Sequence, residues 1–386
     1  MLGGASLDNS FVVLKMKCRL LYVVGQLRSG GSERQLFNLL QILDRERYQP
    51  AVAVWNFHEE DSYVKAIREL NVSLYPCSLS SSRVAKLALF YRIAKQLQPE
   101  VIHSYSFFMN FAAYYVARKI GAISIGSVRS DFIFDCSSAG PFLGRLSARW
   151  PRAQIYNSYS AVRNAQESKG LFVPHQIFVI RNGLDVKGFA GSFKPIPGEP
   201  IILGVGSLFP VKQWDRLLRA AAEIKQKGVE FKIQIAGDGP LRPVLEQQTE
   251  EIGIAQCVEF LGCREDIPAL VSNARFLVHT ANSEGCPNVI MEAMACGRPV
   301  VAMHAGDISS FVDDGKTGFV VQQGDHMMLV QRILELLQNY SLCVQMGTAA
   351  RDRAEREFGI ERLVKETLEV YRKVGWKDST FVNGGR

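Results

Sequence analysis

The chain has 386 residues, of which 47% are hydrophobic and 22% are charged. These values are ordinary for a globular enzyme, and the length favours two domains over one. No apolar run approaches the roughly 18 residues that a membrane-spanning helix needs, and the eight cysteines form no C-x-x-C pair. The sequence therefore predicts a cytoplasmic protein with reduced thiols, and it argues against a disulfide framework or a zinc site.

Charge is divided unevenly along the chain. Residues 1–190 carry 23 Lys and Arg against 13 Asp and Glu, a net charge of +10, whereas residues 191–386 carry 22 against 25, a net charge of −3. A basic first half suits an anionic partner such as a membrane surface or a lipid diphosphate. A surface that is merely basic and solvated explains the same charges. No RNA- or DNA-binding motif accompanies them, so nucleic acid is not expected as a partner.

Short apolar segments alternate with amphipathic ones through the first half of the chain, after residues 1–17, which we expect to form a poorly ordered leader. A helix whose apolar positions include Leu36, Leu40 and Leu43 follows the first strand and a glycine-containing turn. Such alternation predicts a parallel sheet covered by helices on both faces. The predicted strands are residues 20–25, 51–57, 101–103, 122–128, 154–157 and 177–181, and further predicted helices are residues 63–70, 84–97 and 110–120.

The stretch 190–200 is rich in Gly and Pro and has no periodicity, which predicts an interdomain linker over residues 191–199. The alternation then restarts, so the sequence predicts an α/β protein with two Rossmann-like, doubly wound domains facing a cleft, residues 1–190 and 200–359. Predicted strands of the second domain are residues 201–205, 231–236, 258–261, 276–279 and 299–302, and predicted helices are residues 214–227, 241–253, 267–272, 289–296, 327–338 and 341–373.

Glu284 and Glu292 stand eight positions apart, on either side of a predicted strand-to-helix turn. Such a turn presents free backbone N–H groups and the positive end of a helix dipole, which suits a phosphate. An anion site flanked by two carboxylates that bind hydroxyl groups suits a sugar nucleotide. The same spacing also fits a buried turn with one satisfied and one solvated carboxylate. The turn and the helix start comprise Gly285, Cys286, Pro287, Asn288 and Val289.

Residues 284–302 resemble the E-x7-E signature of retaining glycosyltransferases of family 4, which have the two-domain GT-B architecture. Four further short motifs fall in the family's order: GGSER at 30–34, NGLD at 182–185, VGSLFPVKQWD at 205–215 and AGDGP at 236–240. The resemblance extends from about residue 20 to residue 371. It implies transfer of a sugar from a UDP- or GDP-linked donor to a hydroxyl group of a glycan, a lipid-linked saccharide or a small acceptor, in cell-surface polysaccharide or glycolipid synthesis.

The resemblance also implies roles for individual residues. Glu284 would hold hydroxyl groups of the donor sugar, and Glu292 would bind the ribose. Backbone amides of residues 285–288, together with Lys212, would stabilise the leaving diphosphate. Arg264 would border the base.

Gly30 and Gly31 follow the first strand, where glycines let the backbone approach a ligand closely. Their spacing is not that of the dinucleotide motif G-x-G-x-x-G, so a nicotinamide site is not expected. By resemblance, this loop closes over the donor diphosphate and the acceptor. A turn that merely starts a helix is the alternative.

Three positions complete the predicted catalytic set or depart from the family pattern. His103 ends a strand and is expected at the cleft, although a lone histidine is often structural. The family commonly has another histidine at the end of the following strand, where this chain has Arg129, which can bind an acceptor phosphate or the donor but cannot shuttle a proton. Ser207 stands where an arginine usually accompanies Lys212. We therefore predict Glu284, Lys212, Arg129 and His103 as catalytic residues.

No D-x-D motif occurs, and no His, Asp or Glu cluster has the spacing of metal ligands. Because a lysine and helix N-termini can hold a diphosphate, the sequence predicts a metal-independent enzyme without a cofactor.

Residues 141–150 combine Phe142 and Leu146 with Arg145 and Arg149. This pattern is typical of a helix at a membrane surface, and equally of one that packs on its sheet. The resemblance further implies that a C-terminal helix, residues 360–375, returns to the first domain. Two other functions remain open at this point: a sugar-nucleotide epimerase or hydrolase of the same fold, and a binding protein without catalysis.

Overall fold

The structure, a computed structural model, describes residues 18–77, 82–130, 132–168, 173–189, 196 and 200–378. Two separate parallel sheets, each flanked by helices, make up these residues. The predicted α/β architecture with two Rossmann-like units is therefore confirmed. The predicted leader, residues 1–17, lies outside the described residues, as does the predicted linker apart from Ile196.

The first sheet has seven strands in the order β3-β2-β1-β4-β5-β6-β7. Neighbouring strands are parallel throughout. The strands are β1 (Cys18–Val24), β2 (Tyr48–Val54), β3 (Ser73–Pro76), β4 (Val101–Ser104), β5 (Ile123–Val128), β6 (Ala153–Tyr156) and β7 (Gln176–Val179), and the helices among them are α1 (Gly31–Ile42), α2 (Ser62–Glu69), α3 (Arg83–Leu97), α4 (Asn110–Ile120), α5 (Phe132–Ser138), α6 (Pro141–Arg149) and α7 (Tyr159–Glu167).

The second sheet has six strands in the order β10-β9-β8-β11-β12-β13. It is likewise parallel. The strands are β8 (Ile201–Val205), β9 (Lys232–Ala236), β10 (Val258–Gly262), β11 (Phe276–His279), β12 (Val300–Met303) and β13 (Gly318–Val321), and the helices are α8 (Trp214–Gln226), α9 (Arg242–Glu251), α10 (Ile267–Asn273), α11 (Asn288–Ala295), α12 (His326–Gln338), α13 (Tyr340–Glu357) and α14 (Ile360–Lys373).

Both sheets are buried on both faces, as parallel sheets generally are. In β1, Leu20 and Tyr22 belong to one apolar cluster, whereas Leu21 and Val23 belong to another. This alternation follows from the two-residue period of a strand. It explains why the central strands are apolar at nearly every position.

The predicted helical stretch 341–373 is in fact two helices that serve different sheets. Helix α13 packs in the second unit, where Ala354 is fully buried. The chain then crosses at Phe358 and Gly359, where the N–H of Leu184 donates to the carbonyl of Phe358 at 2.7 Å. Helix α14 contributes Leu363 and Tyr371, both fully buried, to the core of the first sheet.

Several elements lay outside the sequence prediction. Strands β3 and β13, of four residues each, were not predicted. Helices α5 and α7 were likewise not predicted.

The carboxyl ends of the strands matter most for a site, because in a parallel sheet they meet at one edge. The segments that follow β1, β5, β8 and β11 lie at these edges and face one another.

Candidate active site

A cavity of ≈ 830 Å³ lies between the two sheets. Its walls come from the segments after β1 and β5 on one side, and from the segments after β8 and β11 on the other. The structure therefore brings together residues that are far apart in the chain. The sequence-predicted residues that line it are Gly30, Gly31, Arg129, Ser207, Lys212, Glu284, Gly285, Cys286, Pro287, Asn288, Val289 and Glu292.

His103 does not reach the cleft, contrary to the expectation from sequence. Its side chain is 1% exposed, and its two ring nitrogens lie 2.7 Å from the hydroxyl of Tyr371 and 3.0 Å from that of Ser127. Burial, reinforced by the charge of Arg129, keeps the pKa of His103 well below its usual value. The reason for the misplacement is helix α14, which covers this end of β4. His103 is thus a neutral, hydrogen-bonded core residue.

Arg264 also lies apart from the predicted group. Its guanidinium donates two hydrogen bonds to the carboxylate of Asp266, at 2.8 and 2.6 Å. Both side chains are substantially exposed. Arg264 does not line the cavity between the sheets, which is reached on that side by Ile267.

The turn between β11 and α11 forms the centre of the second wall. Gly306 packs closely against the backbone of this turn. Its φ is +53°, and a Cβ added at this residue would lie 1.6 Å from the carbonyl oxygen of Glu284. Only glycine fits there. No described side chain caps α11 at Pro287. Asn288 and Val289, the first two residues of the helix, line the cavity, and their N–H groups have no intrahelical partner, which makes this end attractive to an anion.

Glu284 is paired with two groups at the bottom of the cavity. Lys212 Nζ donates to its Oε2 at 2.5 Å, and Nε2 of His279 lies 3.2 Å from the same oxygen. Burial alone would raise the pKa of Glu284, but the hydrogen bond from His279 and the charge of Lys212 outweigh it and lower this pKa to about 2. The carboxylate is therefore ionised. His279 was not predicted as a site residue, although its position at the end of a buried strand indicates the edge of the sheet where a site forms.

Glu292 is 2% exposed and forms an ion pair across the cleft. Arg34 Nη1, from α1 of the first unit, donates to its Oε1. Arg34 belongs to the GGSER motif, but no role was predicted for it, since nothing local relates it to a carboxylate 258 positions away. In the structure the two residues close one end of the cavity.

Further hydrogen bonds join the two units around this site. Asn182 Nδ2 donates to Oδ1 of Asn288 at 2.9 Å. The buried carboxylate of Asp307 accepts from the backbone N–H groups of Tyr159 and Ser160, at 2.5 and 2.8 Å. These two N–H groups begin helix α7, where a negative charge is favourable. The walls of the cavity are thus fixed to each other at several points.

A second cavity of ≈ 670 Å³ opens beside the first and belongs to the first unit alone. Aromatic side chains, including Trp55, Phe108 and Phe111, form much of its wall. Basic side chains at Arg83 and Lys86 also line it. The two cavities share Ser32, Arg129 and Ser130. A ligand in one could therefore contact a ligand in the other at this junction.

Two family models match the chain. The model described as "Glycosyltransferase Family 4" matches residues 29–187, and that described as "Glycosyl transferases group 1" matches residues 191–353. Together they cover both units and both walls of the cleft.

Named relatives are transferases and synthases of moderate similarity. The chain is 26% identical over 377 residues to the Campylobacter jejuni GalNAc-alpha-(1->4)-GalNAc-alpha-(1->3)-diNAcBac-PP-undecaprenol alpha-1,4-N-acetyl-D-galactosaminyltransferase, covering 92% of this chain and 99% of that protein. It is 26% identical over 203 residues to the Bacillus anthracis N-acetyl-alpha-D-glucosaminyl L-malate synthase, covering 53% of this chain and 52% of that protein. The chain thus spans about half the length of some relatives and nearly all of others.

Among solved structures, Anabaena HepE in complex with UDP and glucose is similar at a TM-score of 0.78 and 18% identity, over 92% of this chain and 100% of that chain. At this identity the likeness shows the fold. Taken with the two family models and the named relatives, it identifies the protein as an enzyme. The chain belongs to the family 4-type glycosyltransferases and has their two-domain GT-B fold.

Proposed function

We propose that the enzyme is a retaining glycosyltransferase that uses a UDP- or GDP-linked sugar and transfers it to a hydroxyl group of a glycan or a lipid-linked saccharide. One observation carries the proposal: an uncapped helix N-terminus, a lysine, the buried carboxylate of Glu292 and the half-buried carboxylate of Glu284 converge in a single cavity. Phosphate oxygens suit the helix end and the lysine. Sugar and ribose hydroxyls suit the carboxylates. The presence of UDP in the HepE structure supports a nucleotide at the corresponding cleft.

In the proposed reaction the bond between the anomeric carbon and the diphosphate oxygen breaks first. The charge that develops on the leaving diphosphate is stabilised by Lys212 and by the N–H groups at the start of α11. The acceptor hydroxyl then bonds to the anomeric carbon from the face that the diphosphate leaves, and its proton passes to a diphosphate oxygen. Arg34 adds positive charge to a cavity in which Ser207 offers only a hydroxyl group.

The two glutamates are expected to differ in their effects. Replacing Glu292 with Ala removes the group proposed to bind the ribose, so the Kd for UDP should rise. Replacing Glu284 with Ala removes contacts to the sugar and should mainly lower turnover. Loss of a charged hydrogen bond costs roughly 1.5–3 kcal/mol, or about ten- to a hundredfold. Isothermal titration with UDP and UDP release from a panel of UDP- and GDP-sugars measure both effects.

Glu335→Ala is the matched control, because Glu335 pairs with Arg332 on α12 and does not line the cavity. If all three variants bound UDP and turned over like the wild type, the assignment of the donor site would be wrong. Donor consumption that proceeds equally well with and without any acceptor would favour a hydrolase or epimerase instead.

The role proposed for Glu284 requires it to be a carboxylate. Its pKa in the folded protein, about 2, lies below the ordinary value of 4.5. A lowered pKa means that the folded state is stabilised by ionised Glu284 above pH ~4.5, and that this contribution is lost as the pH falls from there toward 2. Carboxyl-carbon NMR should therefore show Glu284 titrating near pH 2. The substitution His279→Gln should raise that pKa, since it removes an imidazole that donates to the carboxylate.

His326→Gln is the control for that titration, because His326 pairs with Glu223 on a different surface and should leave Glu284 unchanged. A Glu284 carboxylate that titrates near 4.5 in the wild type, or that does not respond to His279→Gln, would contradict the described pairing.

The proposal also holds that no divalent metal is needed for transfer. Within the part of the chain that the structure describes, no group of three or more His, Cys, Asp or Glu side chains could hold a metal ion, while a lysine and a helix end are available for the diphosphate. UDP release from the donor should therefore persist in EDTA at rates within about twofold of those without chelator. Activity that EDTA abolishes and Mn²⁺ or Mg²⁺ restores would overturn this part of the proposal.

We further propose that the acceptor is lipid-linked and that the first unit lies against the cytoplasmic face of a membrane. No described helix has the length and apolarity to cross a bilayer. Instead, Ile133 and Phe142 are 59% and 73% exposed on α5 and α6, helices that also contribute Asp135 and Leu143 to the second cavity. The net positive charge of this half suits an anionic lipid surface. The undecaprenol-linked acceptor in the name of the Campylobacter relative supports the idea.

Binding to vesicles containing phosphatidylglycerol tests the membrane contact. The double substitution Ile133→Ser and Phe142→Ser should weaken vesicle binding by about tenfold or more, since burying one such side chain contributes roughly 1.5–3 kcal/mol. Met327→Ser is the matched control, because Met327 is 71% exposed but lies on the second unit. A wild type that does not bind the vesicles, or a control that loses as much binding as the double variant, would contradict the proposed contact.

A further inference from the structure

Arg129 occupies the junction between the two cavities. It follows the last residue of β5, is half-buried, and lines both the cavity between the sheets and the cavity of the first unit. Its guanidinium lies over the ring of Tyr105, 4.1 Å from the ring centroid. Tyr105 is 1% exposed, so the guanidinium of Arg129 packs against a buried ring. Its own backbone carbonyl accepts a hydrogen bond from Asn157 Nδ2 at 2.9 Å.

Two of the three guanidinium nitrogens of Arg129 lack an acceptor in the part of the chain that the structure describes. Nε and Nη1 are shielded from solvent, and neither has a hydrogen-bond partner there. Other basic groups nearby are engaged: Arg34 pairs with Glu292, and Lys86 Nζ donates to Oδ1 of Asn56 at 2.6 Å. A half-buried charge without a hydrogen-bonded partner is costly, and Arg129 lines both cavities. An anionic ligand that binds at this junction would lower that cost.

The chemistry of the missing partner follows from the shape of the donor group. A guanidinium fork binds planar carboxylates and phosphates through parallel hydrogen bonds. Two carboxylates, Glu33 and Asp135, also line the cavity of the first unit. Neither accepts a hydrogen bond from Nε or Nη1 of Arg129. Burial raises the pKa of Glu33, and the charge of Arg129 opposes that rise, so this carboxylate balances part of the positive charge without a hydrogen bond to either nitrogen.

We infer that Arg129 forms an anion subsite where donor and acceptor meet, and that one of the two substrates carries a carboxylate or phosphate on the sugar residue bound there. This inference rests on the proposed function, because it assigns the cavity between the sheets to the donor and the neighbouring one to the acceptor. The substrate class is therefore an acidic sugar: either a uronic acid on the nucleotide donor, or a phosphorylated or uronic saccharide as acceptor. Arg129 is a specificity-determining residue that selects it.

Three pairs of probes distinguish these sources. For the donor, isothermal titration compares UDP-glucuronic acid with UDP-glucose, and UDP-galacturonic acid with UDP-galactose. For the acceptor, protein saturated with UDP is titrated with glucose 1-phosphate and, in parallel, with methyl glucoside. In the donor or the acceptor comparison, or in both, the wild type should bind the acidic compound about tenfold or more tightly than its neutral counterpart. The arm that shows the preference identifies which substrate is acidic.

The variants Arg129→Gln and Arg129→Lys then test the residue itself. Loss of a charged hydrogen bond is worth about ten- to a hundredfold, so Arg129→Gln should remove the preference, and Arg129→Lys should keep part of it. UDP affinity should stay within about threefold, which also shows that each variant is folded. Arg92→Gln is the control, since Arg92 is exposed on α3 and lines neither cavity.

Absence of an acidic preference in both arms, or a preference that survives Arg129→Gln, would overturn the inference. A tenfold loss of UDP affinity in Arg129→Gln would also overturn it, because Arg129 would then bind the diphosphate. If the wild type bound neither UDP nor GDP, the proposed function would fail, while titration of the nucleotide-free protein with glucose 1-phosphate and methyl glucoside would still report on Arg129.

Discussion

Two carboxylates in a cleft, one buried and one half-buried, impose the main constraint on this site, because a charge that is withdrawn from water must be paired. Glu284 is paired within its own unit by Lys212 and His279. Glu292 has its partner, Arg34, on the opposite sheet. The second ion pair therefore joins the two walls, and any ligand that uses Glu292 must offer it hydrogen bonds as good as those it replaces.

The rest of the fold positions these groups. Parallel strands end at the same edge of each sheet, so the short segments after β1, β5, β8 and β11 meet in one place. Close packing then fixes them: Gly306 leaves no room for a side chain against the carbonyl of Glu284. Asp307 anchors the start of α7 across the cleft. The positions of the charged groups thus depend on backbone contacts that take no part in the proposed reaction.

The sequence predicted those parts of the site that lie in contiguous segments. The bounds of β8 and β11 were read directly from their apolar runs, and the turn 285–288 lines the cavity between the sheets. Features created by distant parts of the chain were out of reach. His103 is buried because Tyr371 returns from the C-terminal helix to cover it, and no local pattern announces that contact. The Arg34 partner of Glu292 and the unpartnered guanidinium of Arg129 likewise exist only in three dimensions.

A crystal structure of the complex with UDP is the most direct test of the proposed donor site. The diphosphate should lie at the N-terminal end of α11, within hydrogen-bond reach of Lys212, and the ribose should lie against Glu292, with Arg34 displaced from that carboxylate. The proposed site would be wrong if UDP bound elsewhere, or if it bound in the cleft with the ion pair between Arg34 and Glu292 intact and the ribose turned away from it.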